Sequence, residues 1–210
     1  MAIDKIQAES MNLADTFAFT GTVTGTPSNL VLIKTITISD DTSISFVNGA
    51  NNVVLDNTYK VYKIIGTGIR VSEQDAVDMR FGVSVDSGSN YNVTKRGQGI
   101  KNNRGASDNN YSNTIYGHTG VTANYSFLNS LDGNEALNQA NFEMTIFDPS
   151  STVTYKFMRV QGSFRRTGGY TEMSDVVIQS ETTSAINAIR IDLASSNMDL
   201  GTMSLYGVKS

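Results

Sequence analysis

Short runs in which apolar and polar residues alternate, each closed by turn-forming residues, recur along most of the chain. The clearest is Val77 to Val85. Val77, Met79, Phe81, Val83 and Val85 fall on one side, and Asp78, Arg80, Gly82 and Ser84 on the other. A period of two sends successive side chains to opposite faces of a strand, so such a run reads as a half-buried β-strand. The same reading applies to Leu30–Ser39, Thr42–Val47, Tyr59–Ile65, Asn141–Phe147, Val153–Phe164 and Glu172–Gln179. Val53–Asp56 reads as a short strand or bulge, and Asn124–Leu131 as turn-rich or briefly helical. The chain is rich in Ser, Thr, Asn and Gly, which disfavours long helices and suits strands joined by short turns. About eight to ten strands in one domain predict an all-β fold, most simply a jelly-roll-like antiparallel β-sandwich.

Two hairpins are expected. One joins LVLIKTITIS to TSISFV through Asp40 and Asp41, which read as turn formers rather than metal ligands because no neighbour completes a ligand set. The other closes the chain. Ile189, Ile191 and Leu193 alternate with Arg190 and Asp192, a turn run Ser195–Asp199 follows, and Met203, Leu205 and Val208 form a second apolar run. The domain is expected over residues 30–210, behind an extended N-terminal arm over 1–29. In that arm Phe17, Phe19 and Val23 alternate with small and Thr residues up to Pro27. Exposed phenylalanines need covering, so the arm is either a first strand of the domain or an anchor docked on a neighbour.

A chain of 210 residues buries roughly 70% of its unfolded surface and folds without covalent staples. There is no cysteine, which excludes disulfides and thiolate metal sites and leaves the redox compartment open. The net charge is −4 with both signs scattered, so no basic patch invites nucleic acid. No apolar run approaches a membrane span, and the first fifteen residues lack a signal-peptide core. No GxSxG, HExxH, P-loop or CxxC pattern is present, and a single histidine leaves any Ser-His-Asp relay dependent on His118. Neither a cofactor nor a metal is expected.

Residues 95–120 show the weakest pattern. They read as a long functional loop or as a strand pair hidden by weak alternation. Arg104, Asn110, Tyr111, Tyr116 and His118 lie there, and aromatic faces among polar hydrogen-bonders suit a sugar. These five are the candidate glycan-binding residues. Arg165 and Arg166 read as a basic loop, either solvated or anion-binding.

Four stretches, FAFTGTVTG (17–25), LVLIKTITISDDTSISFVNG (30–49), DSGSNYNVTK (86–95) and TTSAINAIRIDLASSNMDLGTMSLYGVK (182–209), carry a resemblance over most of the chain after Phe17. In them the sequence resembles virion structural proteins of marine bacteriophages, commonly described as tail-fibre-like. SAINAIRI…GTMSLYGVK is the most specific part. The resemblance implies a non-enzymatic β-sandwich module carried on the particle, often as a symmetric oligomer, with no shared catalytic motif. The expected partners are further copies of itself, as a homotrimer, other virion proteins of tail or capsid, and host-surface glycan. The expected location is the virion, after synthesis in the host cytoplasm.

Within that reading the chain is a tail appendage whose arm anchors it and whose 95–120 region meets host glycans. The alternative is a capsid decoration, or cement, protein whose arm laces shell subunits. The chain is short for a fibre and lacks a coiled-coil or repetitive shaft. A glycan-degrading enzyme is the rival class. It needs two carboxylates roughly 5–9.5 Å apart in a cleft, and no spacing singles out Asp78, Asp108 or Glu143 for that role.

Overall fold

The computed structural model describes residues 29–72, 75–105, 111–122, 124–133, 138–166 and 168–209. Phe17, Phe19 and Val23 of the arm, and Asp108 and Asn110, lie outside the described residues. Among those described, the secondary structure is all β. In chain order the strands are β1 (Leu30–Asp41), β2 (Ser43–Val47), β3 (Val61–Val71), β4 (Asp75–Ser84), β5 (Lys95–Gly105), β6 (Tyr111–Val121), β7 (Tyr125–Asp132), β8 (Ala140–Phe147), β9 (Lys156–Arg166), β10 (Tyr170–Ser180), β11 (Ala188–Leu193) and β12 (Met198–Val208). The stretch read as turn-rich or helical from Asn124 is thus strand β7. Val53–Asp56 is not a strand: Val53 and Leu55 are buried, held by Val53 N–H to Ala50 and Leu55 N–H to the Asn48 side chain.

Every strand pairing is antiparallel, and the pairings fall into two layers. One runs β1-β12-β3-β8-β9-β10-β5-β6; the other runs β2-β11-β4-β7. A single register pair, Leu131↔Arg166, joins β7 to β9. The hairpins β5–β6 and β9–β10 are additions to a simpler plan. Without them the pairings are nested: β1 with β12, β2 with β11, β3 with β8 and β4 with β7. That is one long hairpin rolled so that its strands alternate between two four-stranded sheets, the jelly roll.

This topology overturns both expected hairpins. β1 and β2 do not pair with each other, and neither do β11 and β12. Asp40 takes a left-handed backbone (φ 58°) at the end of β1, where the corner begins, and Ser196 (φ 74°) does the same between β11 and β12. Each turn sends the chain across to the opposite layer. Asn197 donates from its side-chain amide to Asp40 Oδ1 at 2.8 Å, tying the two corners together. Asp40 and Asp41 perform turn chemistry, the latter accepting from Ser39 N–H.

The core lies between the layers. Ile44, Phe46, Phe81, Phe127, Ile189 and Ile191 from the smaller sheet face Tyr62, Ile64, Phe142, Met144, Val160 and Leu205 from the larger. Phe127 and Phe142 meet edge to face across the interface at 5.1 Å between ring centres. Aromatic pairs prefer this geometry because the positive ring edge meets the negative face. Truncation of Phe142 to Ala should destabilise the protein by about 3–5 kcal/mol in urea titrations.

Gly201 sits at a register shift between β12 and β3 with φ 129°, and a Cβ there would come within 2.8 Å of Ile69 Cα. Gly49 also has a positive φ, but a Cβ there meets nothing within 4 Å. Gly49→Ala should therefore cost only the left-handed backbone penalty, about 1–2 kcal/mol. Gly201→Ala should cost clearly more, because backbone rather than a flexible side chain must yield. Parallel thermal melts of the two variants measure the difference.

Candidate functional site: the outer face of the large sheet

The two added hairpins widen only one layer, from four strands to eight. In a strand of this sheet every second residue points away from the core. On β8, β9, β10, β5 and β6 those positions include large apolar side chains left in solvent: Phe147, Phe157, Met173, Val177, Ile100 and Ile115, the last of them 80% exposed. They are also neighbours across strands. Phe147 is opposite Phe157, and Ile100 is opposite Ile115. Scattered exposed apolar residues are ordinary, whereas a group sharing one face has the character of contact surfaces.

Three shallow depressions cross this face. One of about 570 Å³ spans β3, β8, β9 and β10, lined by Ile65, Thr67, Glu143, Ser163, Met173 and Asp175 among others. A second, about 490 Å³, lies over Ile100, Ile115, Arg159, Asp175 and Val177. The third, about 290 Å³, lies between Arg96, Gln98, Phe157 and Val177. Asp175 is shared by the first two, and Gln98 and Val177 by the last two, so they form one continuous trough.

The carboxylates of the trough are matched. Arg159 grips Asp175 with two hydrogen bonds, Nε to Oδ1 at 3.0 Å and Nη2 to Oδ2 at 2.6 Å, and Gln161 adds a third at 3.1 Å. The Arg159 hydrogen bond holds the Asp175 carboxyl below the usual carboxylate range, and Asp175 in turn raises the guanidinium. Lys63 pairs with Glu143. Both carboxylates of the trough are thus committed to cations.

The inner side of the added strands holds ionisable groups that the alternation places inside. Glu172 is 1% exposed, with Arg166 Nε at 3.7 Å from its carboxylate. Burial raises its pKa above the ordinary range, against the opposing pull of Lys101, Arg166 and Asn103. Lys95 and Lys156 flank Ser180 in register, and all three are buried. Lys95 donates to Val93 O at 2.7 Å, and burial lowers its pKa to about 8. Lys156 donates to Thr182 O and Ser184 O and so pins the segment that leads to β11; burial lowers its pKa too. The butyl stems fill the sheet interior while the amines cap carbonyls.

The glycan-loop expectation needs correcting. Residues 95–105 and 111–121 pair as the hairpin β5–β6. Tyr116 is not offered to solvent. Its half-buried ring lies under Lys101 Nζ, its hydroxyl meets Ser174 Oγ at 2.8 Å, and burial pushes its pKa to about 12. Arg104 is exposed near the hairpin tip, opposite the backbone of Tyr111. The backbone of His118 is opposite Gly97, toward the far end of the strand from that tip. The side chains of Tyr111 and His118 are outside the description. The hairpin register therefore keeps Arg104 and Tyr111 together and separates them from Tyr116 and His118. Arg165 and Arg166 belong to strand β9, the former 3.9 Å from Asp132. Asp78 accepts hydrogen bonds from Asn129 and Ser130 N–H, stabilising the bend in β7.

The apolar trough and the buried lysines escaped the sequence reading, although Lys156 shares the parity of Met158 and Val160, and Glu172 that of Val176 and Ile178. No protein-family model, curated protein or solved structure matches the chain.

The buried ionisable groups predict the pH dependence of stability. Native Glu172 holds its proton more tightly than the unfolded chain does. Its contribution favours folding below the ordinary carboxylate range and is lost as pH rises through the native value. Glu172→Gln should therefore raise Tm at pH 7, by a few degrees, with the gain vanishing near pH 4. Lys95 has the opposite behaviour: the native amine gives up its proton first, so stability rises with pH between about 8 and 10.5. Lys95→Met should be stabilising at pH 7 by up to about 3 kcal/mol and lose that advantage by pH 10.5. Melts across pH check both slopes.

Proposed function

We propose that this chain is a virion structural protein, a jelly-roll module that works by assembly rather than by chemistry. One observation carries the reading: four strands are added to one layer only, and they create a broad outer face with apolar side chains that the core does not need. Such a face suits contact with a large, fairly flat partner surface. Jelly rolls recur in viral capsid and lectin domains, which agrees with the fold but does not choose a function. The resemblance to phage virion proteins adds the particle.

On the particle, the face suits a decoration protein lying against a capsid shell, with the N-terminal arm as the lace. The tail-appendage reading keeps one support, the exposed Arg104 near the β5–β6 tip. It loses Tyr116 as a stacking platform. The paired state of Asp175 and Glu143 favours assembly over glycan hydrolysis, which needs one carboxyl kept protonated beside an ionised partner.

Quantitative mass spectrometry of purified particles, against the major capsid protein, tests this directly. About one copy or one trimer per capsomer is expected. A copy number set by a six-fold tail would favour the appendage. Absence from particles, or release of sugars from host glycans by the purified protein, would overturn the reading.

A further inference from the structure

We propose that strand β6 is the docking edge for the N-terminal arm of a second copy, which adds residues 17–26 to the eight-stranded sheet as a ninth strand. Among the described residues β6 pairs only with β5, so one of its sides presents unpaired N–H and C=O groups along Tyr111–Val121. Exposed edges invite further strands, and proteins blunt them with charges, prolines, bulges or short length. β6 is eleven residues long and its sequence, YSNTIYGHTGV, contains no Lys, Arg, Asp, Glu or Pro; its one register shift lies at the Val121 end, and Tyr111–His118 runs in regular register. The opposite edge, β1, has Lys34, a bulge at Leu32/Lys34 and a terminal Asp40–Asp41. β2, at one edge of the small sheet, is five residues long.

The occupant follows from what β6 leaves uncovered and from what the arm offers. Ile115 stands 80% exposed beside Ile100 on the outer face, and Val177 lines the same depression. Residues 17–26, FAFTGTVTGT, are uncharged and alternate, with Phe17, Phe19 and Val23 on one side and Thr20, Thr22, Thr24 and Thr26 on the other. Laid along β6, the Phe17/Phe19/Val23 side continues the outer face and covers Ile115, while the threonine side continues the polar inner positions.

The width of the sheet favours an arm from another copy. Leu30 starts β1, and β1 and β6 are opposite edges of the sheet, seven strand spacings apart. At about 4.8 Å per spacing that is about 34 Å along the sheet. Thr26 is four residues from Leu30, a reach of about 14 Å at most. One copy's arm on the next copy's edge is a heterologous contact, which closes into a ring when the rotation allows. A trimeric ring agrees with the expected oligomer. The inference rests on the assembly reading for its occupant.

The absence of cysteine makes the test clean. Two full-length variants with different tags, Thr22→Cys and Ser112→Cys, are co-expressed and treated with a short bis-maleimide. A cross-linked heterodimer is expected, and its loss on adding Ile115→Lys to the Ser112→Cys copy, with melts showing that the copy still folds. A Thr22→Cys/Thr35→Cys chain that cross-links within itself instead, by pairing the arm to its own β1, would overturn the proposal. So would a monomer by light scattering with no cross-link between copies, or an undiminished heterodimer with Ile115→Lys. Cross-linking of a protein absent from particles would sink the virion reading alone.

Discussion

Pairing between the first and last strands holds this architecture together. β1 and β12 run in register from Leu30↔Val208 to Asp41↔Met198, and β12 is zipped on its other side to β3. Each of these pairings joins residues more than a hundred positions apart. Until they form, the core between the layers lacks the cover of β12, including Met203 and Leu205. Nested long-range pairing makes closure of the sandwich costly in chain entropy and cooperative once reached. The left-handed corners at Asp40 and Ser196 serve that closure, since each lets one strand leave a sheet and the next enter the other without an intervening loop.

The two added hairpins change what a jelly roll can present. An eight-strand roll has two layers of equal width, and each layer covers the other. Here β9, β10, β5 and β6 extend one layer past its partner, so their inner side receives less hydrophobic cover. Polar groups occupy that margin: Glu172 opposite Asn103, Tyr116 bonded to Ser174, and Lys95 and Lys156 about Ser180. Ser174 also donates to Phe127 O, which attaches the extension to the edge of β7. Val160, Val176 and Ile178 still join the core, and hydrogen bonds and buried charge hold the rest of the margin. Burial there raises the pKa values of Glu172 and Tyr116 and lowers those of Lys95 and Lys156.

Strand existence was legible in the sequence and strand partnership was not. Alternation reports which side of a strand is buried, as in Val77, Met79, Phe81 and Val83, but it does not report which strand lies alongside. Sequence neighbours with a short turn between them, β1 with β2 and β11 with β12, therefore read as hairpins although they belong to opposite layers. The hairpin β5–β6 was nearly invisible for a different reason. Its inward positions include Gly97 and Gly99, where a Cβ would lie 2.7 Å from Val177 O and 2.5 Å from Asp175 O. Close approach to β10 forbids the apolar side chains that would have produced a pattern. Tyr116, read as a ligand platform because its neighbours are polar, is inward for the same reason that the glycines are. The outer trough could not be read at all, because it depends on six strands, β3, β8, β9, β10, β5 and β6, being side by side.

Adding strands to one layer also relocates an edge. Without the additions, β8 would end the large sheet, with Glu143 and its partner Lys63 close by. With them, β9 covers β8, β10 covers β9, β5 covers β10, and the open backbone groups move outward to β6, which carries no charge. Near the middle of that edge the carboxylates are paired, Asp175 with Arg159, and Arg104 is the exposed charge at the hairpin tip, so electrostatic attraction is weak over Ile115. Recognition at such a place is left to backbone hydrogen bonding and apolar fit, both short-ranged and dependent on strand geometry. A surface of that kind selects a partner by its extended shape and alternation rather than by its charge. It sits as far from the start of β1 as the sheet allows, so in the proposed arm exchange donor and acceptor are at opposite ends of one module. Contacts between such ends propagate in one direction from copy to copy, and only symmetry or a supporting lattice determines where the chain of contacts stops.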